Sequence, residues 1–350
     1  MSYRVIQWAT GAMGTAVLRT LLDDGRMNVV GAFVYSDKKA GTDVGTLARR
    51  PDTGVAATNN VDEILALEAD VVVHAARLGV YGSHDAEIIQ LLESGKNVLS
   101  INGYSNPAWR RDERYERLEA ACQRGGTTLM GVGLNPGFIG EQAAVLASGL
   151  STNIERIEIS EAADARLVQD PDYFFGALGF GSALDDTRLT DPGSGPAAAL
   201  NGMYEETLAT IARHLGASLD AVETEHVMHP ALSDIEVSAG TVRAGSVGHT
   251  QWQWHGIVGG ERLITMTIHW FVETAHLPES AHDLWHVKVT GQPGVDMRID
   301  LSKHAADRSR MGAEQYALGA QVLHAIPLVV RAPAGVLMHP PVIPANLPAS

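Results

Sequence analysis

The residues that most clearly indicate a binding site form a turn near the N-terminus, at positions 9–14, where the chain reads ATGAMG. The turn follows an apolar run at residues 3–8 and precedes residues 12–24, where apolar side chains recur at helical spacing. Glycine in such a turn lets the backbone approach a pyrophosphate, and the helix N-terminus offers N–H groups to the anion. The pattern is GxGxxG with alanine in the first place, and it predicts a dinucleotide-binding turn. Its predicted cofactor contacts are Gly11, Ala12, Met13 and Gly14.

The end of the second predicted strand, residues 29–35, bears on the choice between NAD and NADP. An acidic residue at this tip accepts hydrogen bonds from the adenosine ribose and excludes a 2′-phosphate. Here the tip is Ser36, and Asp37, Lys38 and Lys39 follow. A hydroxyl and two ammonium groups favour NADP, with Ser36, Lys38 and Lys39 as contacts. Asp37 keeps NAD possible, and the two lysines are also compatible with a merely solvated loop.

Two further loops that follow predicted strands contain candidate cofactor contacts, because open α/β sheets bind ligands at the carboxyl ends of their strands. After residues 70–75 the predicted cofactor contacts are His74, Ala75, Ala76 and Arg77. The alternative for His74 is a strand-end histidine whose hydrogen bonds are satisfied. The loop after residues 127–132 contains Asn135, Pro136 and Gly137, which are predicted cofactor contacts. Proline fixes one dihedral angle and glycine frees the next, so the loop either directs the Asn135 side chain at the nicotinamide or is a simple turn into the next helix.

The elements that must position these loops change in character along the chain. Over the first 140 residues short apolar strands alternate with helical patterns, which predicts an α/β Rossmann fold with a doubly wound parallel sheet. Beyond residue 150 a Gly/Pro-rich loop and a helix over 197–215 precede alternating apolar runs at 235–244, 249–258 and 262–273, each predicted as a strand. This part of the chain predicts an α+β domain with a largely antiparallel sheet. The predicted domains are residues 1–150, completed by 311–350, and residues 151–310. Residues 313–329 are predicted to form a helix, and the Pro-rich tail after it is expected to be irregular.

Composition narrows the class of partner. The 350-residue chain carries a formal charge of −15, which disfavours nucleic acid and anionic membrane surfaces and favours a small-molecule ligand. Its one cysteine, Cys122, excludes an internal disulfide and suits a reducing compartment. Neither a signal-peptide pattern nor an apolar run long enough to span a membrane is found. A soluble, cytoplasmic protein is therefore expected.

Five motifs resemble a known family. They are WATGAMG at 8–14, GVGLNPGF at 131–138, LGFG at 178–181, GTVRAG at 240–245 and AIPLVVRAPAGV at 325–336. Together they are similar to 2,4-diaminopentanoate dehydrogenase and the native amine dehydrogenases, whose N-terminal domain is dihydrodipicolinate reductase-like. The resemblance implies a Rossmann domain, an α+β domain that binds substrate and forms a homodimer, and NAD(P)H-linked interconversion of amines with ketones. A ketone, imine or amine would be the substrate. An uncovered apolar sheet face in the second domain would also favour the dimer.

The chain departs from this family at one place. The family's proton-handling glutamate follows the strand that here reads NVLSI, and it is thought to activate ammonia. This chain has Asn102, Gly103, Tyr104 and Ser105 instead. Neither glycine nor a phenol with a pKa of about 10 can act as that base. Tyr104 is then either a catalytic proton donor or a ring that covers the nicotinamide, and Asn102 and Gly103 are predicted cofactor contacts.

Aromatic and histidine side chains beyond residue 150 are further candidates for site residues. The predicted substrate pocket comprises Tyr173, Phe174, Phe180 and His269, although clustered aromatic residues more often form a core. The family's pocket uses the region of Tyr173. The histidine pairs His226/His229 and His282/His286 have a spacing that can bind zinc, but a proline follows His229, neither pair belongs to an HExxH pattern and the family uses no metal. No metal is predicted.

Three functions remain open from the sequence. The first is NAD(P)H-dependent reduction of a C=N bond, either formed in the site or supplied as an imine. The second keeps the cofactor and reduces a carbonyl or an activated alkene, which the missing glutamate would suit. The third is a cofactor-binding sensor that has lost catalysis.

Overall fold

The computed structural model describes residues 2–338 except 111, 192, 194, 279–283 and 310. The chain divides into two compact units: Met1–Phe138 with Leu301–Ser350, and Ile139–Asp300. The observed divisions thus fall earlier in the chain than the predicted ones at 150 and 310. The predicted irregular tail lies mostly at 339–350, outside the described residues.

The first unit contains a seven-stranded sheet in which all strand pairs are parallel. The strand order is β16-β6-β5-β4-β1-β2-β3, so the chain reverses its direction of progress between β1 and β4. Ligands bind at such a switch point in open α/β sheets. The predicted Rossmann fold is confirmed. The strands are β1 (Tyr3–Trp8), β2 (Met27–Phe33), β3 (Ala57–Thr58), β4 (Val71–His74), β5 (Asn97–Ser100), β6 (Thr128–Gly131) and, last in the chain, β16 (Gly335–Val336).

Helices cover both faces of this sheet because its strands are apolar on both sides. One core layer joins β1 and β4 to the apolar faces of α1 and α8, through residues such as Leu18 and Ile326. The other joins the sheet to α3, α4 and α5, through residues such as Ile88 and Leu118. The helices of this unit are α1 (Ala12–Asp23), α2 (Val44–Ala48), α3 (Val61–Ala66), α4 (Asp85–Glu93), α5 (Glu113–Gly125) and α8 (Ala313–Arg331).

The parallel arrangement brings the predicted site loops to one edge. Since all strands point the same way, the segments that follow Trp8, Phe33, His74, Ser100 and Gly131 leave the sheet at its carboxyl edge. These are the glycine turn and the four other loops singled out from the sequence. The order of the strands in the sheet decides which of these loops lie next to each other.

The second unit contains a mixed sheet of seven strands in the order β15-β14-β7-β13-β12-β8, with β9 also pairing with β12. Its pairs are antiparallel except β7 with β13, so the predicted, largely antiparallel α+β domain is confirmed. A separate hairpin, β10 with β11, occupies part of the run predicted as one strand. The strands are β7 (Asn153–Asp164), β8 (Ala221–Thr224), β9 (Val227–Pro230), β10 (Ile235–Val237), β11 (Gly240–Val242), β12 (Val247–Val258), β13 (Glu261–Phe271), β14 (Trp285–Gln292) and β15 (Val295–Ile299); its helices are α6 (Ala144–Ser148) and α7 (Gly195–His214).

The two faces of this sheet differ in polarity. Trp254 of β12 is buried and stacks on Tyr204 of α7, with ring centroids 4.1 Å apart. On the opposite face the same strand presents Gln251 and Gln253, and β13 presents Thr267, all partly exposed. The expectation of an uncovered apolar face was therefore wrong, because alternation along the strands directs the apolar side chains towards α7. The homodimer itself stays a prediction.

Among the described residues, no helix combines the length and hydropathy needed to cross a membrane.

Candidate functional site

The glycine turn has the geometry that a dinucleotide requires. Gly11 caps α1 and is exposed, and a Cβ placed on it would meet nothing within 4 Å. Gly14 is buried, and a Cβ there would lie 2.3 Å from the carbonyl oxygen of Ala9. The turn therefore offers an open backbone at Gly11 and a close approach of helix to strand at Gly14. Ala12 and Met13, between them, are exposed.

Alanine in the first position of the motif adopts a backbone conformation that glycine prefers. Ala9 has φ 71°, in the left-handed region, which costs an L-residue about 1–2 kcal/mol. The side chain of Gln7 supports this conformation, since its amide nitrogen donates to the Ala9 carbonyl at 3.0 Å. The chain thus keeps the shape of the glycine turn without the first glycine.

A lysine from the second loop reaches the same turn. The Nζ atom of Lys39 lies 2.7 Å from the carbonyl oxygen of Thr10 and 3.3 Å from its hydroxyl. Ser36 and Lys38 are exposed in the same loop, while Asp37 accepts a hydrogen bond from Asn59 Nδ2 at 2.6 Å. An ammonium group is thereby placed at the turn where a phosphate is expected.

The loops after β4 and β5 are joined directly. Asn102 donates from Nδ2 to the carbonyl oxygen of Ala76 at 2.7 Å. Ala75 and Ala76 are buried, and Arg77 is exposed. The structure therefore brings together two of the segments that sequence reasoning assigned to the cofactor.

Tyr104 occupies a buried position and already has a partner. Gly103 and Tyr104 have φ of 92° and 67°, and the Tyr104 side chain turns into the core beneath α4. Its hydroxyl donates to Asp85 Oδ1 at 2.7 Å, and Asp85 is paired with Arg114 at 2.7 Å. Burial, followed by the charge of Asp85, raises the pKa of Tyr104 well above its usual value. The single hydroxyl proton is engaged by a carboxylate, so this geometry favours an anchoring role, and the proton-donor role stays a prediction.

We expect Tyr104→Phe to lower the free energy of unfolding by about 2 kcal/mol, because a buried hydrogen bond to a charged group is lost. Turnover should stay within about threefold of wild type once the protein is folded. Urea denaturation and steady-state kinetics with NADPH measure the two effects. A hundredfold loss of kcat at unchanged stability would instead identify Tyr104 as the proton donor.

The loop after β6 leads into a helix. Residues Leu134–Ala143 form a π-helical segment in which Asn135 alone has non-helical dihedral angles, φ −129° and ψ 121°. The Asn135–Pro136 peptide bond is cis, and Pro136 and Gly137 are buried. The division between the two units falls inside this segment.

A polar cluster beside β1 was not predicted from the sequence. The Glu87 carboxylate accepts hydrogen bonds from Trp8 Nε1 at 2.7 Å and from the Tyr35 hydroxyl at 2.6 Å. His84 Nδ1 lies 2.9 Å from Glu87 Oε1, and His74 Nε2 lies 3.8 Å from Oε2. Only the spacing of His84 and Glu87, one helical turn apart, was visible in the sequence.

Charge and burial act in opposite directions within this cluster. Burial disfavours the Glu87 carboxylate, but His74, His84 and Tyr35 outweigh it and hold the pKa of Glu87 below its usual range. The hydrogen bond to Glu87 raises the pKa of His84, whereas burial lowers that of His74. The carboxylate is therefore ionised and His74 is neutral at pH 7.

In the second unit, three of the four predicted pocket residues lie together. Phe174 and Phe180 are fully buried and stacked, with ring centroids 4.5 Å apart, and Tyr173 packs against the same core. His269 pairs with His249 instead, with Nδ1 and Nε2 3.0 Å apart. The two phenylalanines thus have the surroundings of a core, and a role in substrate binding stays a prediction for all four.

The first of the two histidine pairs with metal-like spacing, His226 and His229, has separate partners. His226 bonds to the Asn201 side chain at 3.0 Å and accepts from the backbone N–H of Gln253 at 3.2 Å. His229 lies among the rings of His249 and His276. Position 282 lies outside the described residues, so the pair His282/His286 is not described.

Buried carboxylates in the second unit also escaped sequence reasoning. Glu161 accepts hydrogen bonds from the indoles of Trp270 at 2.9 Å and Trp285 at 2.7 Å. Glu141 is 2% exposed and lies 3.4 Å from the Thr207 hydroxyl. Neither residue belongs to a motif that spacing alone would reveal.

Comparison with known proteins agrees with this architecture. Residues 5–90 match the family described as dihydrodipicolinate reductase, N-terminus. The chain is 27% identical over 345 residues to an amine dehydrogenase of Streptomyces virginiae, covering 94% of this chain and 93% of that one. It is 25% identical over 306 residues to 2,4-diaminopentanoate dehydrogenase of Acetoanaerobium sticklandii, covering 84% and 82%. The fold matches the structure of amine dehydrogenase from Mycobacterium smegmatis with a TM-score of 0.77 and 19% identity, over 97% and 95% of the chains.

Fold, glycine turn and relatives together define an NAD(P)-dependent oxidoreductase with a dihydrodipicolinate reductase-like N-terminal domain. Within that class, the relatives are an amine dehydrogenase and 2,4-diaminopentanoate dehydrogenase, so the resemblance predicted from the sequence is confirmed.

Proposed function

We propose that this protein transfers hydride from a nicotinamide cofactor to a C=N bond of a small ketone-derived substrate, by reductive amination or imine reduction. The observation that carries the proposal is the similarity to an amine dehydrogenase along nearly the whole of both chains. The glycine turn adds physical support, because its two glycines have the separate environments that a bound dinucleotide needs.

The first unit supplies the groups that would hold the cofactor. The exposed backbone at Gly11 would face the pyrophosphate, and Lys39 adds a positive charge at Thr10. Asn102 ties the loop after β5 to the loop after β4, which would fix the shape of the same edge. When bound, the nicotinamide ring supplies the hydride, and the protein's task is to place it against the substrate.

NADP is the proposed cofactor, in preference to NAD. Ser36 and Lys38 are exposed, and the one carboxylate of this loop, Asp37, is held by Asn59. A 2′-phosphate would therefore meet a hydroxyl and ammonium groups.

We expect Lys38→Ala to lower the ratio of kcat/KM for NADPH to that for NADH by about tenfold, since a charged hydrogen bond to phosphate contributes about 1.5 kcal/mol. Lys303→Ala, in the same unit but bound to Ser309 and Asp307, is the matched control and should leave the ratio unchanged. An equal loss with both cofactors would contradict recognition of the 2′-phosphate.

A second candidate reaction is reduction of a carbonyl or an activated alkene. The observation in its favour is the segment from Asn102 to Ser105, which lacks the glutamate that the resemblance implies.

If the reaction is reductive amination and another group activates ammonia, Glu141 is the first carboxylate to test, because it is buried and follows Gly137 closely in the chain.

The test is NADPH oxidation over a panel of aldehydes and ketones, each with and without high ammonium or a primary amine. Strict dependence on the nitrogen donor is expected, and Glu141→Gln would then show whether that carboxylate is needed. Turnover without nitrogen would establish carbonyl or alkene reduction instead. Cofactor binding without turnover on any substrate would favour a sensor.

A homodimer is proposed with this function, on the resemblance alone. Sedimentation equilibrium is expected to give twice the mass of one chain. A monomer at micromolar concentration would contradict it.

A further inference from the structure

We propose that His74, His84 and Glu87 form a binding site for a divalent cation of the zinc type. The site lies where β4 ends and α4 begins, beside the tips of β1 and β2. This runs against the sequence-based expectation of no metal, and it does not depend on the proposed reaction.

The three side chains converge closely enough to share one ion. One ligand atom from each of the three residues lies within 4.8 Å of the others. His84 Nδ1 is 2.9 Å from Glu87 Oε1, and His74 Nε2 is 3.8 Å from Glu87 Oε2. Ligands of a tetrahedral zinc ion are roughly 3.4 Å apart, given metal–ligand distances of about 2.1 Å. The two observed separations, measured to the two oxygens of the Glu87 carboxylate, lie on either side of that value.

Atoms outside the three ligands orient them as they do in metal sites. His84 Nε2 lies 2.9 Å from the carbonyl oxygen of Arg77, so this nitrogen carries the proton and donates. When Nδ1 carries no proton, it directs a lone pair at the Glu87 carboxylate. Two lone pairs facing each other at 2.9 Å need a cation or a proton between them. A metal-bound histidine commonly donates its other N–H to a backbone carbonyl.

The carboxylate is held from its other side. The Trp8 indole and the Tyr35 hydroxyl both donate to Glu87 Oε2, at 2.7 and 2.6 Å. Second contacts of this kind fix the direction of a ligating carboxylate.

His74 provides an independent indication. Its side chain is 0% exposed, and among the described residues neither ring nitrogen makes a hydrogen bond; the contact of Nε2 with Glu87 Oε2, at 3.8 Å, is too long for one. Buried polar groups are normally satisfied, so an imidazole with two unused nitrogens calls for an explanation. Coordination of a cation by Nε2 would give this buried ring the partner that it lacks.

The donor set indicates the class of ion. Two imidazole nitrogens and one carboxylate oxygen suit zinc and its borderline neighbours cobalt and nickel, rather than magnesium or calcium, which take oxygen ligands. Because His74 belongs to β4 and the other two ligands lie beyond residues 75–83, a bound ion would tether both ends of that loop. Its role would be to hold the loop, which includes the predicted cofactor contacts Ala75, Ala76 and Arg77.

The experiment compares zinc bound by full-length variants that have been stripped with a chelator and dialysed against micromolar zinc chloride. His84→Gln and Glu87→Gln remove one ligand each, and glutamine at 87 can still accept from Trp8 and Tyr35. His304→Gln is the control, because His304 is exposed and lies in the same unit. We expect each ligand variant to bind one equivalent less than wild type and the control to bind the same amount. Counting the difference removes any contribution from histidines of the second unit.

Cobalt substitution tests the geometry. Wild type and His304→Gln should show the visible absorption of a tetrahedral cobalt ion, and both ligand variants should lose it. Equal zinc binding by wild type and the two ligand variants, with circular dichroism confirming that all are folded, would overturn the proposal, and so would a wild type that binds no zinc. Loss of NADPH oxidation alone would concern the proposed reaction and leave the metal count unaffected.

Discussion

Replacing Gly14 by alanine is expected to destabilise the first unit by about 3 kcal/mol. The new Cβ would lie 2.3 Å from the Ala9 carbonyl oxygen and 3.1 Å from its carbon, which are backbone atoms that cannot rotate away. Alanine gains about 1 kcal/mol of helix propensity over glycine, which does not offset a forced shift of helix against strand. Ala9 already sits at φ 71°, so the turn has little freedom to absorb that shift.

Gly11→Ala is the matched control for this prediction. The same methyl group at Gly11 meets nothing within 4 Å, and stability should change by less than about 1 kcal/mol. Binding of NADPH should nevertheless weaken about tenfold or more, since the methyl group occupies the backbone surface that would face the pyrophosphate. Thermal unfolding and fluorescence titration with NADPH separate the two effects. Equal stability of both variants would show that helix and strand are not in tight contact at Gly14.

The second large effect is acid destabilisation of the second unit by its buried histidines. Burial, with smaller contributions from neighbouring histidines, lowers the pKa of His249 to about 3 and that of His269 to about 4. Both rings are almost fully inaccessible, at 0% and 3% exposure. The two rings are hydrogen-bonded to each other. Protonation of either ring would therefore place a buried positive charge next to the other.

The sign follows from proton binding in the two states. Histidines in the unfolded chain have a pKa of about 6.5. Below that pH the unfolded chain binds protons at these two positions, and the folded chain does not. Stability is therefore full above pH 6.5, falls as the pH drops and levels off near the folded-state values. Between pH 7 and pH 5 each histidine contributes a loss of about 2 kcal/mol, which gives about 2–4 kcal/mol for the coupled pair.

Urea denaturation of wild type and His249→Gln at pH 7 and pH 5 checks this prediction. The variant is expected to be less stable at pH 7, because a buried contact changes, but to lose less stability on acidification. His304→Gln, which removes an exposed histidine, should follow the wild-type pH dependence. Parallel curves for wild type and His249→Gln would show that the pair does not control acid sensitivity.

Much of the fold could be predicted because its signals are local. The alternation of strands and helices, the glycine turn at 9–14 and α8, predicted to begin at residue 313, depend on periodicity and turn chemistry within a few residues. The run at 235–244, predicted as one strand, forms a hairpin instead. Ser238 and Ala239 join its two strands, and Gly240, at φ 146°, begins the second strand.

The parallel pair of β7 and β13 could not be predicted from alternation, because both directions of pairing give the same pattern along a strand. Likewise, the outer face of the second sheet was expected to be apolar, although glutamine and threonine already alternate with tryptophan and isoleucine along β12 and β13. The period of two along each strand, and not the number of apolar residues, decides which face of the sheet is polar.

What the sequence by itself determined is the class of fold, the dinucleotide turn and the absence of the family glutamate at 102–105, since each is written in neighbouring residues. Only the tertiary structure decided that Tyr104 bonds to Asp85, and that Trp8, Tyr35 and His74 meet Glu87. These contacts follow from the strand order β4-β1-β2 and from α4 packing on that sheet. Strand order is set by long-range packing, and no local spacing in the chain encodes it.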